Sequence, residues 1–113
     1  EQMNATSGTF PHGVNEMEKA GLQAAPSRLV KPPRVAASPC ALECRVTQIV
    51  KLKYLPGAAP ETYVVFGQVI GVHVDDRFIK DGLLDTAAMK PIARCGYHEY
   101  SLLDETFKMV RPR

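Results

Sequence analysis

No apolar run in the chain reaches the ~18 residues that a membrane-spanning helix requires. The first residues also lack the charged and apolar zones of a secretory signal. Basic clustering is scarce. The net charge is +2, from 14 basic and 12 acidic side chains. The one basic patch, Lys31 to Arg34, is broken by Pro32 and Pro33. A surface that tracks phosphates along a nucleic acid needs denser positive charge, so that partner class is not expected. Cysteine is sparse and odd in number: Cys40, Cys44 and Cys95. On an extended strand Cys40 and Cys44 would share a face with Cα atoms roughly 13 Å apart. That exceeds disulfide reach. No His or Cys pair stands nearby to complete a four-ligand metal set. The expectation is buried free thiols in a reducing cytosol, and no metal.

Catalytic signatures are missing too. Gly-x-Ser-x-Gly, Gly-x-x-x-x-Gly-Lys-Ser/Thr, Gly-x-Gly-x-x-Gly and His-Glu-x-x-His do not occur. Asp75 and Asp76 are adjacent, and adjacent strand residues point to opposite faces. They read as a solvated strand end rather than a catalytic pair. No catalytic residue is assigned.

What is present fits one small domain or part of one. The hydrophobic share, 45%, is ordinary for a globular protein. A chain of this length is marginal on its own. Residues 1–13 end in a turn-rich run, Gly8 to Gly13. Asn15 to Ala20, closed by Gly21, predicts a short helix with Asn15 as its polar cap. Pro26, Pro32, Pro33 and Pro39 forbid regular helix over 23–39 and predict ordered, extended coil. Leu42, Cys44, Val46, Val50, Leu52 and Tyr54 alternate with Glu43, Arg45, Thr47, Lys51 and Lys53. That period of two predicts a long strand with the first set buried and the second solvated. Pro56 to Pro60 is the turn. The return strand, from about Thr62 to Val74, is apolar on both faces, which predicts cover on both. A barrel interior and a partner subunit would supply it. Gly67 and Gly71 share one face of this strand and mark a bend or a close approach. Asp85 to Lys90 predicts a helical turn capped by Asp85 and stopped by Pro91. Ile92 to Cys95 reads as a brief strand, Gly96 to Tyr100 as a loop, and Phe107 to Val110 as a last strand.

Two places could hold a ligand. His12, His73 and His98 are too scattered for a metal site, but His73 shares a face with Gly67 and Gly71. Its imidazole could donate to an oxygen or ring nitrogen of a cofactor; the plainer alternative is a satisfied core histidine. Arg94-Cys95-Gly96-Tyr97 is the second. Arg94 could hold an anion such as phosphate. Backbone N–H groups at Cys95 and Gly96 could face a ligand. Tyr97 and Tyr100 offer rings and hydroxyls suited to a flat heterocycle. The plainer alternative is a turn with Arg94 paired to Glu99, Asp104 or Glu105.

A resemblance sharpens this reading. Asn4-Ala5-Thr6, Phe10-Pro11-x-Gly13-Val14-Asn15-Glu16-Met17, Pro32-Pro33-Arg34-Val35-Ala36-x-Ser38-Pro39, Gly67 through Asp76, and Pro91 through Tyr100 occur in an order similar to the C-terminal half of flavin reductase-like proteins. Asn15 and Gln68 stand where Asp and Glu are usual in that family. The resemblance covers essentially the whole chain. It implies a mainly-β fold with short helices. That fold is a split β-barrel of the FMN-binding, Greek-key type, of which residues 1–113 form the C-terminal part of a single domain. The chain begins at Glu1 without an initiator Met, so the family's N-terminal half, which holds much of the flavin, is expected to lie outside it. The resemblance further implies FMN as cofactor, NAD(P)H as co-substrate, a homodimer, and in some members a partner monooxygenase. His73, Arg94, Cys95, Gly96, Tyr97 and Tyr100 are its cofactor-contacting candidates. The expected activity is cytoplasmic hydride transfer from NAD(P)H to flavin. The alternatives are a non-enzymatic flavin-binding electron carrier and an inactive fragment that needs a complementary chain.

Overall fold

Frequent glycine and proline cut the first forty residues into short pieces. The computed structural model describes residues 1–57 and 61–113; Ala58, Ala59 and Pro60, part of the expected turn, lie outside the described residues. The described chain divides into two units, Glu1–His73 and Val74–Arg113.

The first unit opens with a one-turn helix, α1 (Gln2–Ala5), which the turn-rich composition did not predict. Thr6 and Ser7 side chains close it by donating to the carbonyls of Met3 and Asn4. The predicted helix follows as α2 (Glu16–Lys19). The Asn15 side chain accepts from the Met17 N–H and so satisfies one of the donors a helix start leaves open. Gly21 then takes φ +66°, a left-handed exit that glycine makes without strain. The proline-rich stretch is extended, as expected. It also pairs with itself: β1 (Ala24–Ala25) runs antiparallel to β2 (Arg34–Val35). Between them Ser27 Oγ donates to the Pro32 carbonyl at 2.6 Å and fixes the turn.

Two long strands complete this unit, β3 (Cys40–Lys51) and β4 (Tyr63–Val74), hydrogen-bonded to each other. Leu52 N–H donates to Thr62 O, and Thr47 Oγ1 to Phe66 O. A Cβ at Gly71 would meet Glu43. Partners climb β3 as they descend β4, so the pair is antiparallel. β3 stops three residues before the expected Tyr54. Lys51 and Glu61 form an ion pair at its open end.

The alternation of β3 located the strand but inverted its buried face. Glu43 is 3% exposed, whereas Leu42 and Val46 are 61% and 62% exposed. Period-two patterning assigns residues to faces; what lies against each face decides burial. Here the Arg28–Leu29 turn lies against the Glu43 side. β4 likewise leaves apolar residues open on both faces, among them Val65, Phe66, Val69 and Val72. Among the described residues no hydrophobic side chain is fully buried. The thiols follow suit. No disulfide joins them, but Cys44 and Cys95 are exposed and Cys40 is half-buried, so the expectation of buried cysteines fails for want of a core to bury them.

The second unit is built from short hairpins. Asp75 ends the strand run and caps a 3-10 turn, Asp76–Phe78. β5 (Ile79–Lys80) pairs antiparallel with β6 (Leu83–Leu84). Asp81 and Gly82 connect them with φ of +52° and +75°, the two successive positive values of a tight hairpin turn. Helix α3 (Thr86–Met89) carries the predicted cap, with Asp85 Oδ1 accepting from Ala88 N–H at 3.0 Å. Last come β7 (Ile92–Arg94) and β8 (Tyr100–Leu102), also antiparallel. Phe107 to Val110 form no strand, contrary to expectation, and Phe107 is 83% exposed. Apolar residues alone do not make a strand without a neighbour to complete its hydrogen bonds.

Asp75 also receives the Arg77 guanidinium, with Nη2 at 2.6 Å from Oδ2. That side-chain pairing, aided by the Arg77 N–H, lowers its carboxyl to about 2 from an ordinary 3.8. A depressed carboxylate stabilises the fold above the ordinary value, and the contribution is lost as pH falls toward the folded one. Carbon-detected NMR titration should therefore find Asp75 titrating near pH 2. Arg77→Gln should move the midpoint up toward 3.8; an unchanged midpoint would show that the pairing is not the cause.

Candidate functional site

The sequence candidates fall in different units, and each group has its own geometry. His73 lies near the end of β4 in the first unit. Its ring faces Glu43, with Nε2 at 3.3 Å from Oε2. Nε2 is enclosed and makes no well-aligned hydrogen bond, so the contact is a close approach rather than a good bond. The other carboxylate oxygen, Oε1, accepts from Arg28 N–H at 2.6 Å and from Leu29 N–H at 3.0 Å. The Leu29 N–H, joined by the Arg28 N–H and by His73, holds the Glu43 carboxyl below its ordinary range against the opposing pull of desolvation. His73 thus has one nitrogen enclosed against a carboxylate, and its side chain keeps 21% exposure for anything else.

Sequence reasoning missed Glu43 because it sits in the polar half of an alternating strand. A signal existed nonetheless. Gly71 stands two residues before His73, and a Cβ there would lie 2.8 Å from Glu43 Oε2 and 3.0 Å from Leu29 Cδ1. A Cβ at Gly67 would lie 3.2 Å from that of Cys44. The two strand glycines admit neighbouring protein groups of this same unit.

Arg94 to Tyr100 form the turn of the β7–β8 hairpin in the second unit. Arg94 pairs opposite Tyr100. Cys95 N–H donates to Glu99 O at 2.9 Å, and Glu99 N–H donates back to Gly96 O at 3.0 Å. The Cys95 N–H is therefore spent inside the turn, which corrects the expectation that it could be offered to a ligand. Among the described residues the Gly96 N–H has no such partner. The space beside Gly96 is open, with nothing within 4 Å of an added Cβ. Tyr97 occupies the tip at φ +55°, with its ring 90% exposed. Arg94 Nη2 reaches the Tyr97 carbonyl at 3.4 Å. Among the described residues Arg94 makes no ion pair with Glu99, Asp104 or Glu105, so the plainer alternative for this arginine does not hold. The hairpin thus displays one guanidinium, one open backbone N–H and two tyrosines, of which Tyr100 is 40% exposed.

A third feature went unread in the sequence. A cleft of about 420 Å³ in the first unit is lined by Val30, Pro32, Arg34, Val35, Cys40 and Leu42, among others. The Nε of Arg34 is enclosed there without a hydrogen-bond partner. Among the described residues no three His, Cys, Asp or Glu side chains gather as metal ligands. No helix among them is long and apolar enough to cross a membrane.

No family model matches the chain. Two curated relatives match nearly all of it. An uncharacterized protein of Halalkalibacterium halodurans is 35% identical over 112 residues, covering 99% of this chain and 53% of the relative. One of Deinococcus radiodurans is 34% identical over 113 residues, covering 96% of this chain and 47% of the relative. The chain therefore spans about half the length of the curated relatives it matches. Among solved structures, nitrilotriacetate monooxygenase component B from Bacillus cereus superposes with a TM-score of 0.83 at 25% identity, covering 96% of this chain and 53% of that one. A Shewanella frigidimarina protein described as a flavin reductase with a split barrel domain gives 0.80 at 24% identity, covering 98% and 54%. The flavoredoxin of Desulfovibrio vulgaris (Miyazaki F) gives 0.68 at 22% identity, covering 87% and 49%. The fold is accordingly mainly β and a portion of a split barrel. The motif order that resembles flavin reductase-like proteins is matched by the fold these structures share with the chain.

The glycines give a direct test. Gly71→Ala must displace the Glu43 carboxylate or Leu29 and should cost about 1–3 kcal/mol in denaturant unfolding, the usual range for overpacking. Gly96→Ala has open space and should stay within about 0.5 kcal/mol of the parent. Equal effects at both positions would contradict the packing around Glu43.

Proposed function

We propose that the chain is the C-terminal portion of an FMN-binding oxidoreductase that moves hydride from NAD(P)H to flavin. The observation that carries this is the superposition over 96% of the chain on a monooxygenase component B, at a TM-score of 0.83. It is joined by the superposition on a protein described as a flavin reductase. A flavin-related oxidoreductase fold is common ground among these neighbours; FMN, the nicotinamide donor, a homodimer, a partner monooxygenase and a cytoplasmic setting belong to the proposal.

The residues fit a flavin nucleotide in kind. Arg94 would hold an anionic phosphate, since among the described residues its guanidinium is engaged only with a neutral carbonyl at 3.4 Å. Gly96 would offer its N–H, with no side chain in the way. Tyr97 and Tyr100 would pack against flat rings. Cys95 would contribute its thiol, which lies 3.9 Å from the Ala93 carbonyl. His73, in the other unit, is a separate candidate contact through the open part of its imidazole. Bound FMN would supply the redox chemistry itself, and the chain's part is to bind and orient it. The apolar faces of β3 and β4 support the same reading, because the rest of a barrel and a second subunit would cover them.

A second reading, a flavin-binding electron carrier with no nicotinamide site, is supported by the flavoredoxin superposition. The two separate on one experiment. FMN titrated into the protein, with and without the remaining half of the barrel, should give a structured absorption band and quenched fluorescence. NAD(P)H should then be oxidised if the reductase reading holds, and not if the carrier reading holds. A free-flavin spectrum in both mixtures would refute both and leave an inactive fragment. Arg94→Ala should weaken FMN about tenfold to a hundredfold, the range for a charge-assisted hydrogen bond, and leave riboflavin affinity unchanged. Equal losses for both ligands would remove Arg94 from the phosphate.

A further inference from the structure

The enclosed pair of Glu43 and His73 constrains where the imidazole carries its proton. We propose that Glu43 is a positioning residue for His73: it fixes the proton of the neutral ring on Nε2 and so presents Nδ1 as a hydrogen-bond acceptor. Glu43 Oε1 is occupied by two backbone donors, Arg28 N–H and Leu29 N–H, so the carboxylate cannot swing away without orphaning both. Gly71 leaves the room in which it sits. Oε2 is thereby held 3.3 Å from His73 Nε2, an atom with no other partner. A carboxylate oxygen is an acceptor only. Although the contact is not well aligned, a bare Nε2 lone pair 3.3 Å from Oε2 would leave two acceptors side by side in an enclosed space, where an unmatched polar contact is costly. The proton therefore sits on Nε2, and the neutral ring keeps its lone pair on Nδ1. The arrangement has the logic by which an outer carboxylate fixes the tautomer of a working histidine.

This reverses the polarity first expected of His73. A neutral His73 would accept from its ligand rather than donate. On the flavin reading, on which the identity of that ligand rests, it suits the imide N–H of the ring system or a ribityl hydroxyl, not a ring nitrogen or carbonyl. The tautomer itself does not depend on that reading.

Long-range proton–nitrogen correlation NMR of the ring nitrogens tests the proposal at a pH where the imidazole is neutral. His73→Asn assigns the signals apart from those of His12 and His98. The expected result is the Nε2–H tautomer at His73. Glu43→Gln then makes a sharper prediction. Its amide oxygen stays with the Arg28 and Leu29 N–H groups, which turns the NH₂ toward His73. Nε2 must now accept, so the tautomer should reverse to Nδ1–H, with the Arg28 and Leu29 amide shifts retained as evidence that the turn still docks. An Nδ1–H tautomer in the parent overturns the proposal, whether or not the variant folds. So does an unchanged tautomer in a folded Glu43→Gln. Adding FMN together with the remaining half of the barrel, under conditions where its absorption band shows that it is bound, separates the two layers. The Nε2–H tautomer with a shifted Nδ1 signal supports both, whereas the same tautomer with Nδ1 unmoved removes His73 from the flavin and leaves its positioning by Glu43 intact.

Discussion

One enclosed carboxylate organises the first unit. Glu43 faces three nitrogen groups: the N–H donors of Arg28 and Leu29 at Oε1, and His73 Nε2 at Oε2. A charge removed from water is costly unless it is compensated, so each of these partners matters to the others. The proline-rich turn is tied to β3 through Oε1. The end of β4 faces β3 through Oε2. Gly71 has no side chain because that is where the carboxylate rests. Strand register, turn position and ring orientation therefore share one dependence, which is why a single polar group can be the most buried of the described residues in an otherwise open structure.

Local chemistry made much of the fold legible. Asn15 and Asp85 announced their helices because a short polar side chain before a helical turn can satisfy a backbone N–H, and both do so. The first long strand was legible from apolar residues at a period of two, and the second from a run rich in β-branched residues and apolar on both faces. The Asp81–Gly82 hairpin could have been read as well, since Asp-Gly is a strong tight-turn signal, but the flanking strands of two residues each are too short to show alternation. Illegible features are those set by what lies against a strand. Leu42 and Glu43 sit on opposite faces in either version; only the docking of Arg28 and Leu29, fourteen and more residues away, chooses between them. Phe107 to Val110 misled for the same reason, having strand composition but no paired neighbour.

The candidate contacts were legible as residue types and less so as roles. Arg94, Gly96 and Tyr97 do share one hairpin tip. The sequence could not show that the Cys95 N–H closes the turn on Glu99, nor that Tyr97 would take the left-handed position there. A bulky residue at φ +55° is unusual, and such positions cluster where a loop is held in one shape for a purpose. His73 shows the limit most clearly, because its chemistry depends on a residue thirty positions earlier in the chain.

The open faces of β3 and β4 carry a different kind of consequence. With Leu42, Val46, Val65 and Val72 each more than half exposed, little of the free energy that would hold these strands together comes from within the chain. It must come from surfaces beyond these strands. If those belong to the same polypeptide, stability is independent of concentration; if they belong to another molecule, mass action ties the melting temperature to how much of it is present, and dilution acts as a denaturant does.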